Sequence, residues 1–232
     1  VNLFYQPQIA EGVLTLDPEE ARHCVRVLRK KAGDVISLTD GNGNFFQARL
    51  TQVDARACAF EIIETQTIPL KNYRIHIGIS PTKNADRIEW FVEKCVEFGV
   101  DEITLLDCDH TERSFIKTDR LSKVAVSAMK QSLKATLPKI NGLTPFKTFV
   151  QEQTETEKFI AFVDFSNPEH LKDLAKPQQS YLLLIGPEGD FSSQELALAL
   201  KQNFTKVSLG SSRLRTETAG MAGCHILNLV NS

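Results

Sequence analysis

The stretch Tyr181-Leu-Leu-Leu-Ile185, followed at once by Gly186-Pro187, limits what this chain can become more than any other. Five apolar residues without alternation have no solvent face. As a strand they belong inside a sheet covered on both sides, the usual setting of parallel strands. Beyond Gly186-Pro187-Glu188-Gly189-Asp190, the run Ser193-Gln194-Glu195-Leu-Ala-Leu-Ala-Leu reads as a helix with serine near its start and early acidic residues. The pattern then recurs: Val207-Ser208-Leu209 leads into a second glycine turn, Gly210-Ser-Ser-Arg-Leu-Arg-Thr-Glu-Thr-Ala-Gly220. Each turn joins a strand to a helix. In open α/β sheets ligands bind beyond the carboxyl ends of the strands, where glycine lets them reach the backbone and helix N-termini offer free N–H groups.

Neither turn is a phosphate cradle, since the chain has no GxGxxG and no GxxxxGK followed by Ser or Thr. That argues against a dinucleotide or a nucleoside triphosphate. Glu188, Asp190 and Glu217 suit a ligand that is not strongly anionic. Two backbone-rich turns suit amide contacts to a flat heterocycle. Either turn alone reads equally well as a simple tight turn, but the tandem marks the candidate active site.

The rest of the chain divides at a change of period. Residues 1–68 read as a small β domain, and 73–232 as an α/β domain with a mainly parallel sheet, joined by a linker over 65–72 that contains Pro69. In the first part, Val13–Leu16 alternates weakly. Asp17-Pro18-Glu19-Glu20 then starts a helix, with Glu20 at the capping-box position. Ala21, Val25 and Leu28 take its inner face, Arg22, Arg26, Arg29 and Lys30 its outer one, and Gly33-Asp34 its end. Asp40-Gly-Asn-Gly43 signals a hairpin between Val35–Thr39 and Phe45–Val53, with another strand over 57–63. In the second part, strands are expected over 73–79, 103–106 and 159–163. Helices are expected over 85–98, with Gly99 as its stop, from Thr118 or Asp119 to about Ala135, and over 219–230. The single tryptophan, Trp90, is read as core.

With 232 residues, 42% hydrophobic and 24% charged, the composition is that of an ordinary globular protein. No apolar run is long enough to span a bilayer and no export signal is apparent. Cys24, Cys58, Cys95, Cys108 and Cys224 are scattered without a CxxC pair, and the five histidines lack ligand spacing, so free thiols in the cytoplasm and no metal are expected. The net charge of −2 argues against indiscriminate coating of nucleic acid. Between Arg113 and Lys147, however, eight basic residues face one acid, Asp119. That run is either a phosphate-facing surface or a solvated lysine face.

GPEGDFSSQE followed by LGSSRLRTETAG resembles the paired cofactor motifs of the RsmE family of 16S rRNA uridine-N3 methyltransferases, of the knotted SPOUT class. His23–Arg29, Gly33-Asp34, Lys94–Ile103, Glu112-Arg113-Ser114 and Gln131-Ser132 resemble further family segments. Three departures stand out. Asp190 replaces a usual third glycine, Ser212 a usual arginine, and Leu133-Lys134 a common Gly-Arg.

The resemblance implies a trefoil-knotted domain behind a PUA-like barrel. It also implies S-adenosylmethionine as cofactor, 16S rRNA in the small ribosomal subunit as partner, and a homodimer. On it, Ile185, Gly186, Gly189, Leu209, Gly210, Leu214, Arg215, Thr216, Thr218 and Ala219 are expected to line the cofactor pocket. Arg22, Arg26, Arg29, Lys30, Arg113, Lys123, Lys130 and Lys134 are the expected RNA contacts. Methylating N3 of uracil requires loss of a proton, and Arg215 is the leading candidate to stabilise the resulting anion, ahead of Arg113 and Arg26. Glu217 and His23 are candidate bases, with no spacing that decides between them. A structural salt bridge from Arg215 to Glu217 or Glu188 is the competing reading. A ribose 2′-O methyltransferase and a non-catalytic RNA-binding or assembly factor stay open as alternative functions.

Overall fold

A computed structural model describes residues 2–112, 116–164 and 169–232. Arg113 and Ser114 therefore lie outside the described residues. The chain forms two compact units, one of residues 1–70 with 126–137, the other of 71–125 with 138–232. That 126–137 clusters with the amino-terminal residues is not legible from the change of period near residue 70.

In the first unit, β1 (Leu3–Tyr5), β2 (Val35–Thr39), β3 (Asn44–Val53) and β4 (Cys58–Thr67) form a sheet in that order, antiparallel except for β1 with β2. The weak alternation at Val13–Leu16 becomes a short arm on the outer edge of β4, through Phe60 N to Leu14 O and Leu16 N to Cys58 O. Buried Gln6, just after β1, donates its side-chain amide to Thr15 O and so links the two edges of the sheet. Phe4, Leu38, Leu50, Phe60 and Cys24 lie among the residues inside.

Asp17 caps α1 (Pro18–Arg22) by accepting from the amides of Glu19 and Glu20. The expected helix to about residue 30 does not continue: after Arg22 the chain widens into a π-helical turn, His23–Val27, with Leu28 N bonded to His23 O. The wider turn breaks the 3.6-residue register on which the two faces were assigned, so Cys24 is buried while Val25 and Leu28 are only partly so. Nor does the Glu20 side chain reach back to close a capping box. It is buried against Lys130 Nζ at 2.5 Å.

In the second unit, β5 (Arg74–Ile79), β6 (Glu102–Asp107), β7 (Lys139–Pro145), β8 (Glu157–Ala161), β9 (Ser180–Ile185) and β10 (Thr205–Val207) form an all-parallel sheet in the order β10-β8-β9-β5-β6-β7. The Tyr181–Ile185 run is its fully buried interior strand. Around it lie α2 (Ala85–Phe98), α4 (Phe146–Glu152), α5 (Leu171–Leu174), α6 (Ser193–Lys201) and α7 (Thr216–Val230), while α3 (Thr118–Gln131) begins in this unit and ends among the residues that cluster with the first; β7, α4 and α5 were not anticipated. α2 runs over the expected residues with Ile88, Phe91, Val92, Cys95 and Val96 inward, and Gly99 at φ 88° ends it. Trp90 on this helix is 39% exposed, which corrects its reading as core. α3 stops at Gln131, short of Ala135.

From β10 at the sheet edge, the chain returns to the centre, where α7 packs on α2, β5 and β9. On the way Ser208 bonds to Glu169 and Leu171, and Thr216 to Gly186. A return from the sheet edge to its centre is what the SPOUT-type fold was expected to make. No described helix is long and apolar enough to cross a membrane.

Candidate active site

Gly186 ends β9, and its carbonyl accepts a hydrogen bond from Thr216 Oγ1 at 3.1 Å. Thr216 is the buried first residue of α7, so this bond joins the two glycine turns across thirty residues of chain. On the other side, Ser80 at the end of β5 donates its amide to Ile185 O at 3.0 Å. Strand ends adjacent in a parallel sheet thus meet at one edge.

The two glycines serve for different reasons. A Cβ on Gly186 would sit 3.1 Å from Phe191 Cδ2 and 3.2 Å from Asp190 Oδ1, so a side chain there requires these neighbours to give way by a few tenths of an ångström. Gly210 has open space around it but takes φ 124°, which an L side chain rarely adopts. The position after Gly189 also takes a left-handed conformation, with Asp190 at φ 62°. A glycine there would adopt it freely, and aspartate is among the few other residues that tolerate it.

Of the expected pocket residues, Ile185, Gly186 and Thr216 are buried, Leu209, Leu214, Thr218 and Ala219 are partly buried, and Gly189, Gly210 and Arg215 are exposed. Leu209 reaches inward, its Cδ2 within 3.9 Å of where a Gly223 Cβ would stand. Arg215 is the N-cap residue of α7 without a side-chain capping bond, and makes no ion pair among the described residues. The alternative salt bridge to Glu217 or Glu188 is therefore not what holds it. Glu217 is 7% exposed and faces Arg87 of α2 at 3.7 Å.

His23 is in the π-helical turn of the first unit, beside the Phe4 ring. Lys130 is tied to Glu20, Arg120 to Glu89 and Lys139 to Glu102, so the basic run is partly neutralised. Lys83 is bonded to Glu112, which raises its pKa.

Sequence reasoning missed the second ring of residues. His110 Nδ1 donates to Asp190 O at 2.9 Å, and its imidazole lies against Gly189. Asp109 N donates to Glu195 Oε1 at 3.0 Å, while Glu195 also closes a capping box with Ser192. Ser80 Oγ and Thr111 Oγ1 are 2.8 Å apart. These groups fall at the carboxyl ends of β5 and β6, the edge that strand order would have named.

The arrangement has counterparts among known proteins. Residues 69–228 match the model of an RNA methyltransferase domain, and residues 16–63 that of an RNA methyltransferase PUA domain. Ribosomal RNA small subunit methyltransferase E of Buchnera aphidicola is 31% identical over 88% of this chain and 83% of its own length. A probable rRNA methyltransferase from Porphyromonas gingivalis superposes with a TM-score of 0.94 at 42% identity, covering 100% of this chain and 98% of that one. The small subunit methyltransferase E of Neisseria gonorrhoeae, solved bound to S-adenosylmethionine, does so with a TM-score of 0.84 at 26% identity and the same coverage. With a methyltransferase model spanning most of the chain and a small-subunit enzyme above 30% identity, the chain belongs to the RsmE family of ribosomal RNA methyltransferases.

Proposed function

We propose that the protein transfers the methyl group of S-adenosylmethionine to N3 of a uridine in 16S rRNA, with the small ribosomal subunit as substrate. The observation that carries this reading is the Thr216–Gly186 hydrogen bond, which turns two distant glycine turns into one crevice. The residues present fit the donor. A side chain at Gly186 would crowd the Phe191 ring, and exposed Gly189 and Gly210 present backbone without a side chain over it to a flat heterocycle. When bound, S-adenosylmethionine supplies an electrophilic methyl group on a positively charged sulfur.

The chain's own work is to orient the acceptor and accommodate the charge that develops on it. Holding N3 in line with the methyl group supplies rate through orientation. As the N3 proton leaves, negative charge spreads to the uracil carbonyls, and the exposed Arg215 guanidinium beside Thr216 is the group we assign to stabilise it. Buried Glu217, turned toward Arg87, is held as a structural carboxylate rather than a free proton acceptor. Because pairing hides N3, the target must be unpaired or extracted.

We infer that the enzyme acts as a homodimer in the cytoplasm. Trp90 on α2 and Leu229 on α7, 39% and 57% exposed, offer apolar surface on two helices that pack together, and all five cysteines are free thiols. Incubation with methyl-labelled S-adenosylmethionine and small subunits lacking the modification, followed by nucleoside mapping, tests the function. Label on N3 of one uridine is expected. Label on a ribose 2′-hydroxyl would replace this reading with the ribose one, and no label would overturn it.

A further inference from the structure

Asp190 does more than satisfy a left-handed turn. Its Oδ1 accepts from the amide of Phe191 at 2.8 Å, and its Oδ2 from the amide of Val163 at 3.0 Å. Its own amide donates to Pro187 O, and its carbonyl accepts from His110 Nδ1. One residue therefore ties together the 187–191 turn, the segment after β8 and the loop after β6. The neighbour of Val163, Asp164, pairs with Lys206 at 2.5 Å, and Lys206 lies on the strand that leads to Gly210. A glycine at 190 would take the same φ and make neither carboxylate bond.

We propose that Asp190 is a positioning residue for the methyl donor. Its carboxylate fixes residues 162–164 against the first glycine turn, so that the crevice is already formed when the donor arrives. The proposal rests on the reading of these turns as the S-adenosylmethionine site. The physical basis is preorganisation. If the segment were free to leave, the binding-competent state would be only fractionally populated, and apparent affinity would fall by that fraction. Bonds from backbone amides to a carboxylate are stronger than neutral ones, and here both hold backbone segments together, so their loss is expected to show in affinity for the donor.

Three proteins test it: the unsubstituted chain, Asp190→Gly and Asp190→Asn. Glycine keeps the backbone conformation and removes both bonds. Asparagine tolerates the conformation and retains one acceptor oxygen. The dissociation constant for S-adenosylmethionine, measured by calorimetry, is expected to rise about tenfold in Asp190→Gly and by less in Asp190→Asn. Turnover at saturating donor should stay within about twofold, and amide exchange at residues 162–164 should quicken. A dissociation constant in Asp190→Gly equal to that of the unsubstituted protein would overturn the clamp. So would a fall in turnover at saturating donor without a change in affinity. Failure of the unsubstituted protein to bind S-adenosylmethionine would instead sink the underlying reading of the turns.

Discussion

Gly186 and Gly210 look interchangeable in the sequence, yet opposite constraints hold them, and a pair of substitutions separates the two. At Gly186 the backbone is ordinary and the obstacle is the Phe191 ring 3.1 Å from the would-be Cβ. At Gly210 the space is empty and the obstacle is φ 124°, a strain of about 1–3 kcal/mol for alanine. Both Gly186→Ala and Gly210→Ala should weaken S-adenosylmethionine binding. Trimming the ring with Phe191→Leu should partly restore affinity to the first and do nothing for the second; equal rescue, or none for Gly186→Ala, would refute this account of the glycines. Arg215 makes a different kind of contribution. It is exposed and has no ion-pair partner among the described residues, so Arg215→Ala should leave stability nearly unchanged and cost turnover more than donor affinity. Single-turnover methylation should fall about a hundredfold, the scale of removing one donor to a developing anion. An unchanged single-turnover rate would remove Arg215 from the mechanism.

At the scale of elements, the end of α3 explains another departure from the family pattern. Leu133 takes φ 53°, with its amide on Lys130 O and the Lys134 amide on Met129 O, the bonding of a Schellman cap. Glycine suits that position. Leucine there costs about 1–2 kcal/mol, less what glycine loses to a freer unfolded chain. With its side chain 48% exposed, Leu133 gives up little packing when removed. Leu133→Gly should therefore raise the thermal midpoint by about 2–4 °C, the shift expected for roughly 1 kcal/mol in a protein of this size. A lower midpoint would show that its packing outweighs its strain. The same elements mark where periodicity carries information. α2 was readable to the residue because its apolar face is unbroken and Gly99 stops it; the structure adds Asn84 as its N-cap. The expected helix over His23–Val27 was misread because a π-helical turn shifts the register. β7 escaped because Lys139–Pro145 is an edge strand with no buried residue and no apolar run, and α4 because it begins after Pro145 without a side-chain cap.

For the molecule as a whole, both glycine turns could be read locally, because each is written in contiguous residues. Their supports could not: His110 meets Asp190, and Asp109 meets Glu195, across 80 and 86 positions, where only strand order brings them together. Charge is similarly a property of the folded whole. The formal balance of −2 and a run of eight basic residues give no count of cations available to RNA. Among the described residues of the expected set, the fold separates engaged cations from exposed ones. Lys130 is held by Glu20, Lys30 donates to Val35 O, and Lys134 is engaged, whereas Arg22, Arg26, Arg29 and Lys123 are exposed with no ion pair among the described residues. Each phosphate neutralised releases condensed counterions, giving a slope of about −0.7 to −0.9 per contact in log affinity against log salt. If all four meet phosphate, the overall slope is about −3 for binding to the small subunit or to an rRNA fragment carrying the target. Replacing Arg26 and Arg29 together with alanine should bring it to about −1.5 and weaken binding most at low salt. A slope unchanged by that double substitution would mean that the π-helical turn of the first unit, with its arginines outward, does not face the RNA.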